Sequence, residues 1–248
     1  MKPYDKLAPW YDRFMAFMDH EGEAEDLCRF LRESGGEHGR VLDMGAGSGA
    51  HLLPLLQAGL TVDALDRSEP MLQVLRAKLA EAGLEAGLFC GDMRDYASAT
   101  RYDLIYSWGD TVHHLLGSDD LTAFLRTART LLADGGLLAF TWREREYFDE
   151  LTDIGAFYER HGEDYLLWDA ELLSDDRAEL RYTAFLAEGD SRFRRIEETH
   201  TVMVWRERQL LSAAAACDFV VREDIAARYF ERYRQEEPFR CVLILQKR

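Results

Sequence analysis

The stretch Val41-Leu42-Asp43-Met44-Gly45-Ala46-Gly47-Ser48-Gly49-Ala50-His51 constrains this chain more than any other part of it. An apolar run closing on an acid, glycines at alternate positions and leucines at helical spacing spell a strand, a tight loop and a helix. Glycine tolerates positive φ and has no Cβ, so a ligand can lie against the bare backbone of such a loop. The same residues satisfy the dinucleotide-binding pattern, with Gly45, Gly47 and Ala50 in its three positions, so the glycines alone do not choose the ligand.

Residues 40 to 142 continue the alternation. Strands are predicted over Arg40–Met44, Thr61–Leu65 (closing on Asp66), Leu88–Cys90, Tyr102–Ser107 and Leu137–Trp142. One helix is predicted over His51–Ala58, and a second from an N-cap at Ser68 to about Ala82, closed by Gly83. A third starts at Ser118, buries Leu121, Phe124, Leu125, Ala128, Leu131 and Leu132, and breaks at Asp134-Gly135-Gly136. Alternating strands and helices give a doubly wound parallel sheet with ligands at the strands' carboxyl ends. The pattern changes after Trp142. Residues 143 to 178 read as helix and loop, whereas Leu180–Leu186 and Phe193–Val204 read as strands of a small inserted antiparallel layer. The alternation in Phe193–Val204 leaves open which side faces inward. Arg206–Ala216 returns to helix, and Phe219–Ile225 and Arg240–Gln246 supply two last strands. The α/β domain therefore spans 1–142 and 205–248, and the inserted lid or substrate layer spans 143–204.

A formal net charge of −16 argues against nucleic-acid binding, which needs Lys/Arg contacts to phosphate, and against docking on anionic membrane. Cys28, Cys90, Cys217 and Cys241 form no Cys-x-x-Cys pair, so neither a zinc site nor a disulfide framework is expected, and no metal is assigned. The charged first residues and the lack of a run of roughly 18 apolar residues predict no signal peptide, no membrane span and a cytoplasmic setting.

Three features choose between a dinucleotide and S-adenosylmethionine. Asp43 stands at the loop entrance, where a diphosphate would be repelled and an ammonium or sulfonium would not. Asp66, 21 positions after Gly45, suits the ribose diol of either cofactor, but the stretch it opens, Asp66-Arg67-Ser68-Glu69-Pro70-Met71-Leu72, reads as Asp-x-Ser-x-x-Met-Leu. Gly91-Asp92-Met93 follows the third strand, where Asp92 can accept the adenine amino hydrogen and Met93 can pack on the ring. With "VLDMGAGSG", "LDRSEPML", "GDMRD", "YDLIYS" and "LLADGGLLAF" in order, the chain resembles the class I S-adenosylmethionine-dependent methyltransferases of small-molecule type.

That resemblance implies a seven-stranded, mostly parallel sheet of order 3-2-1-4-5-7-6 with strand seven antiparallel. It implies that Asp43, Gly45 and Gly47 frame the methionine part of the cofactor, Asp66 the ribose, and Asp92 with Met93 the adenine. Ala46, Arg67, Met71 and Trp108 complete the set. Tyr4, Trp10, Tyr11 and Asp12 resemble the family's N-terminal Tyr…Tyr-Asp segment, so residues 1–35 are expected to cover the cofactor, with Tyr11 near the sulfonium. Two departures stand out: Ala216-Cys217-Asp218-Phe219, where many relatives carry Ala-Gly-Phe, and Asp110-Thr111-Val112-His113-His114, where related enzymes often carry Asp-Ser-x-Asn-Tyr.

Methyl transfer from a sulfonium is an in-line displacement, for which the protein mainly aligns and desolvates. A hydroxyl or a protonated amine also needs a base, and His113 and His114, just beyond the fourth strand, are the candidates. Tyr147, Trp168, Tyr182 and His200 are candidate lining residues in the inserted layer. Arg192, Arg194 and Arg195 could read an acid group, or form a solvated hairpin face. Asp12 and Asp110 could hold a substrate amine, or make local turn bonds; His51 could be a capping residue. The first reading is a methyltransferase acting on N or O of a small molecule. A non-catalytic S-adenosylmethionine-binding protein is the alternative, and an NAD(P)-dependent oxidoreductase ranks third. An exposed edge of the inserted layer could support a homodimer.

Overall fold

The computed structural model describes residues 2–16, 18–34, 39–236 and 239–248. Strands β1 (Arg40–Met44), β2 (Thr61–Asp66), β3 (Leu88–Cys90), β4 (Tyr102–Ser107), β5 (Leu132–Arg143), β10 (Phe219–Val221) and β11 (Arg240–Lys247) form one sheet. Its order is β10-β11-β5-β4-β1-β2-β3. Numbered within this sheet, that is 3-2-1-4-5-7-6, and β11 runs antiparallel to both its neighbours, as the resemblance implied. Alternate residues serve opposite faces. Leu42 and Met44 of β1 pack with Ile105, Phe124 and Phe140, while Val41 packs with Leu104, Tyr106, Leu72 and Leu75 on the other side.

Helices α3 (Leu52–Gln57), α4 (Glu69–Ala82) and α5 (Ser118–Leu131) link the parallel strands. Ser68 caps α4 by accepting the Met71 N–H at 3.3 Å, and Gly83 ends it in the left-handed conformation. Asp218 also takes a left-handed φ, of 57°, at the turn into β10.

The second sheet is antiparallel, with order β6-β7-β8-β9: β6 (Ala156–His161), β7 (Asp164–Ser174), β8 (Arg177–Ala187) and β9 (Phe193–Met203). Here the structure corrects the sequence reading. Residues 143–178 hold a helix, α6 (Arg145–Ile154), and two strands rather than loop. β6 and β7 went unread because acids and arginines interrupt them and only Leu166 and Ala170 of the pair are fully buried. In β9 the inward side is Glu198, His200 and Val202.

Two further corrections concern the large sheet. Asp134-Gly135-Gly136 lies inside β5 instead of ahead of it: Tyr102 pairs with Leu132 but Leu104 with Leu137, so the glycines form a bulge. The strand expected over Phe219–Ile225 stops at Val221, and helix α8 (Glu223–Glu236) follows. Ile225, Ala226, Tyr229 and Phe230 give α8 a helical stripe, and Phe30 of α2 (His20–Glu33) meets Tyr229 and Phe230 at 5.5 Å between ring centroids.

The amino-terminal segment, with α1 (Tyr11–Phe14), bridges the two sheets. Tyr4 N–H donates to His200 Nε2 at 3.3 Å and Leu7 N–H to Glu198 Oε2 at 3.1 Å. On the other side Lys78 Nζ donates to Asp12 Oδ2 at 2.8 Å, and Ser48 Oγ donates to Asp12 Oδ1.

Candidate active site

Two cavities adjoin at the carboxyl ends of β1, β2 and β4. The first is lined by Gly45, Ala46, Gly47, Asp66, Arg67, Met71, Asp92, Met93 and Trp108, among others. The second lies under the inserted sheet and is lined by Asp110, His113, Arg143, Tyr147, Trp168 and Tyr182, among others. Tyr4, Tyr11, Met18, Gly109 and His114 belong to both linings and so form the passage between them.

The loop after β1 follows from its residues. Gly45 and Gly49 both hold positive φ, of 89° and 82°, and a Cβ would strike the Thr111 side chain at the first and Leu75 at the second. At Gly47 nothing stands within 4 Å of a Cβ position, so this face of the loop is open to a ligand. Asp66, at the end of β2, accepts the N–H of Gly47 at 2.8 Å on Oδ2 and that of Ser68 at 2.8 Å on Oδ1. Burial pushes its carboxyl above the ordinary range, and these two N–H groups oppose the rise. Each oxygen keeps a lone pair for a ribose hydroxyl.

Asp92 is more heavily engaged than a free adenine acceptor would be. Arg94 donates its backbone N–H and Nε to Oδ1, at 3.0 and 2.9 Å, and its guanidinium to Oδ2 at 2.7 Å. The Arg94 hydrogen bonds hold Asp92 below its usual range and leave Oδ2 the oxygen with capacity to spare.

Three residues read as site groups take other places. Asp43 does not line either cavity: it is 3% exposed and accepts the Tyr106 hydroxyl at 2.8 Å. Burial raises its carboxyl to about 8, against the opposing Tyr106 hydrogen bond. At neutral pH it is therefore largely protonated, and the acid at the cofactor loop is Asp66. His200 lies outside both linings and anchors Tyr4 of the amino-terminal segment. His113 lines the second cavity, but its Nδ1–H donates to Met203 O at 2.6 Å and its Nε2 accepts the Arg143 N–H at 2.8 Å. Both nitrogens are used, so His113 is a strut rather than a base.

His114 stands at the passage, edge-on to Tyr4 and His200 at 5.7 Å between ring centroids. Burial, helped by the neighbouring His200 and His113, lowers it to about 3, so it is neutral at physiological pH. Tyr11 is half-buried, edge-on to Tyr4 at 5.3 Å between ring centroids, and desolvation raises its hydroxyl well beyond the usual range. Arg194 lies over the Trp10 ring at 5.0 Å, and Arg192, Arg194 and Arg195 line neither cavity.

A cluster that the sequence did not reveal lies at the floor. His51 Nε2 is 2.6 Å from Glu23 Oε2, the His20 and His51 rings stand edge-on at 5.1 Å, and Arg240, 0% exposed, donates to both Glu23 oxygens. Burial opposes ionisation of Glu23, but the His51 and Arg240 hydrogen bonds outweigh it and hold the carboxyl at about 2. His20, Glu23 and His51 could surround a cation, since their ligand atoms lie within 4.8 Å of one another. A dication there would compete with the Arg240 guanidinium for the same carboxylate. Glu23 and Arg240 are 217 positions apart, so no local pattern could have joined them.

Residues 41–136 match the family model described as a methyltransferase domain. Over 246 residues the chain is 24% identical to a protein of Geobacillus sp. (strain WCH70) provisionally named a methyltransferase, covering 98% of this chain and 99% of that one. It is 32% identical over 131 residues to the dTDP-3-amino-3,6-dideoxy-alpha-D-glucopyranose N,N-dimethyltransferase of Streptomyces fradiae, spanning 52% of this chain and 50% of that enzyme. The fold is similar to the crystal structure of a S-adenosylmethionine-dependent methyltransferase from Clostridium acetobutylicum ATCC 824, with a TM-score of 0.81 at 20% identity over 99% of both chains. Residues 41–136 thus match a methyltransferase domain, and the sheet around them has the order of the class I methyltransferase fold.

Proposed function

We propose that the protein transfers the methyl group of S-adenosylmethionine to a nitrogen or oxygen of a small-molecule acceptor. One observation carries the reading: a cavity fitted to an adenosyl group and a second, aromatic-walled cavity share the Tyr4, Tyr11, Met18, Gly109 and His114 passage. The residues present suit the cofactor. The open face at Gly47 admits its methionine part, Asp66 can take ribose hydroxyls, and Met71, Met93 and Trp108 supply apolar walls. When bound, S-adenosylmethionine supplies an activated methyl carbon. The chain's own residues exclude water from the passage, hold the acceptor in line through the Tyr147, Trp168 and Tyr182 walls, and present the neutral His114 ring as a hydrogen-bonding group. The covering role of residues 1–35 is supported by Tyr4 and Tyr11 in both linings; Phe17 and residues 35–38 lie outside the described residues. The inserted sheet between 143 and 204 provides the roof.

A net charge of −16 supports a metabolite rather than a nucleic acid as acceptor. Among the described residues no helix is long and apolar enough to cross a membrane. The four cysteines form no disulfide with one another, which supports a reducing, cytoplasmic setting. A homodimer through the inserted layer is supported by Tyr158 on edge strand β6 and Leu167 on its neighbour β7, directly paired and exposed, with Leu173 further along β7. Calorimetric titration with S-adenosylmethionine, its demethylated product and NAD tests the main reading. The first two should bind and the third should not; tight NAD binding alone would overturn it. A labelled-methyl screen over amines, hydroxy acids and phenols then distinguishes turnover from mere binding. Light scattering reads the oligomeric state.

A further inference from the structure

We propose that the methyl acceptor is an amine, and that the Asp110 carboxylate takes its N–H and faces the positive charge that the nitrogen acquires. The proposal rests on the methyl-transfer reading and narrows it from nitrogen or oxygen to nitrogen.

The geometry of Asp110 comes first. It follows Gly109 beyond β4 with φ 59°, in the left-handed region that aspartate and asparagine enter more readily than most residues. Its N–H donates to Thr141 Oγ1 at 3.0 Å, and Oδ2 accepts Arg143 Nε at 2.8 Å. Among the described residues Oδ1 is buried with no hydrogen-bond donor, and Arg240 Nε stands 3.9 Å away. A carboxylate can accept about four hydrogen bonds, and here the described residues supply one. The side chain is one-fifth exposed and lines the acceptor cavity only. The rest of the wall suits a cation. Asp19, Glu23 and Asp110 face it with Arg143 among the described lining residues, Arg240 behind the wall pairs with Glu23, and the rings of Tyr4, Tyr11, Tyr147, Trp168 and Tyr182 surround the space.

The chemistry points the same way. As the nitrogen lone pair forms the new C–N bond, the C–S bond breaks and its electron pair stays on sulfur. Sulfur becomes neutral, nitrogen becomes cationic, and the nitrogen later loses a proton to water. Positive charge thus moves through the passage into the acceptor cavity, where an ionised carboxylate stabilises it. An oxygen acceptor makes the opposite demand. It must lose a proton before or during attack, and an acidic wall disfavours the resulting anion. The groups placed for that step are poor bases: His113 has both nitrogens bonded, His114 is lowered by burial, the His51 and Arg240 hydrogen bonds hold Glu23 down, and Arg143 and Arg240 outweigh burial to hold Asp110 well below the carboxylate range. A neutral amine needs no base at the moment of attack.

The test uses matched probes, cyclohexylamine with cyclohexanol and phenethylamine with 2-phenylethanol. Labelled S-adenosylmethionine reads turnover, and S-adenosylhomocysteine-loaded protein reads equilibrium binding. The wild type should methylate or bind the amine of a pair at least about tenfold better than its alcohol. Asp110→Asn, which keeps size and backbone preference, should cut that amine-to-alcohol ratio about tenfold to a hundredfold, the worth of a charged hydrogen bond. Its S-adenosylmethionine affinity should stay within about twofold, because Asp110 lines only the acceptor cavity. Where no probe is methylated, the binding ratio decides. An alcohol used or bound as well as its amine by the wild type overturns the proposal, whether or not the variant folds. So does an unchanged ratio in a folded Asp110→Asn protein. Wild type that fails to bind S-adenosylmethionine overturns the methyl-transfer reading instead, by a separate signal, and the proposal falls with it.

Discussion

Replacing Asp43 by asparagine should stabilise the protein relative to its parent by an amount that grows with pH. Asp43 is 3% exposed, and burial lifts its carboxyl to about 8. In the unfolded chain an aspartate ionises near its ordinary value of 3.8. Between these two values the native state binds one proton more than the unfolded state, so wild-type stability falls as pH rises, by about 1.4 kcal/mol per unit. Over the full window the loss approaches about 6 kcal/mol, and it is complete once the pH passes the folded value. Asparagine carries no titrating proton, and its amide oxygen can still accept the Tyr106 hydroxyl. Any fixed cost of placing the amide N–H₂ in that site shifts the whole curve without changing its slope. The assay is urea unfolding of both proteins at each pH from 5 to 9, taking the difference in ΔG so that all other titrating groups cancel. The difference should climb through pH 7 and level off above pH 8. Parallel curves would refute the reasoning and mean that Asp43 is ionised in the native state, as the sequence reading had it.

Asp66→Ala should weaken S-adenosylmethionine binding by about 1.5–3 kcal/mol, read by calorimetry, since it removes the charged acceptor at the end of β2; unchanged affinity would remove Asp66 from the site. His114→Ala should lower kcat far more than cofactor affinity, because the ring stands in the passage between the cavities; equal turnover would show that the passage does not depend on it. His114 should also make the wild type lose stability on acidification. Its folded value of about 3 lies below the ordinary 6.5, so the loss runs from about pH 6.5 down toward 3, and the Ala variant should lose less over that range in the same urea assay. Arg240→Met should cost about 3–5 kcal/mol by leaving Glu23 charged and buried, whereas Arg240→Met combined with Glu23→Leu should recover part of that loss; a neutral single variant would mean that water reaches the pair.

The large sheet was legible because its signals are local. Alternating apolar residues mark β1, β2 and β4, Ser68 and Gly83 punctuate α4, and the glycine loop sits between β1 and α3. The unread elements are those whose apolar residues are few or interrupted. β6 and β7 expose one face and carry acids and arginines along it, and α8 begins directly after a short strand whose apolar run blends into it. Gly135-Gly136 read as a helix breaker because a bulge and a break use the same residues; only the pairing of Tyr102 with Leu132 and Leu104 with Leu137 distinguishes them.

What the sequence determined by itself was the class of site: the glycine loop, Asp66, Asp92 and Met93 lie close to strand ends, and a parallel sheet brings strand ends together whatever else the chain does. The tertiary structure alone decided the charge states and partners. Whether Asp43 meets a ligand or Tyr106, whether His113 keeps a free nitrogen, and how Asp110 comes to share a cavity with Tyr182 depend on residues tens to hundreds of positions apart. Ionisation and hydrogen bonding depend on distance and on access to water, and neither quantity exists along a sequence until the chain has closed on itself.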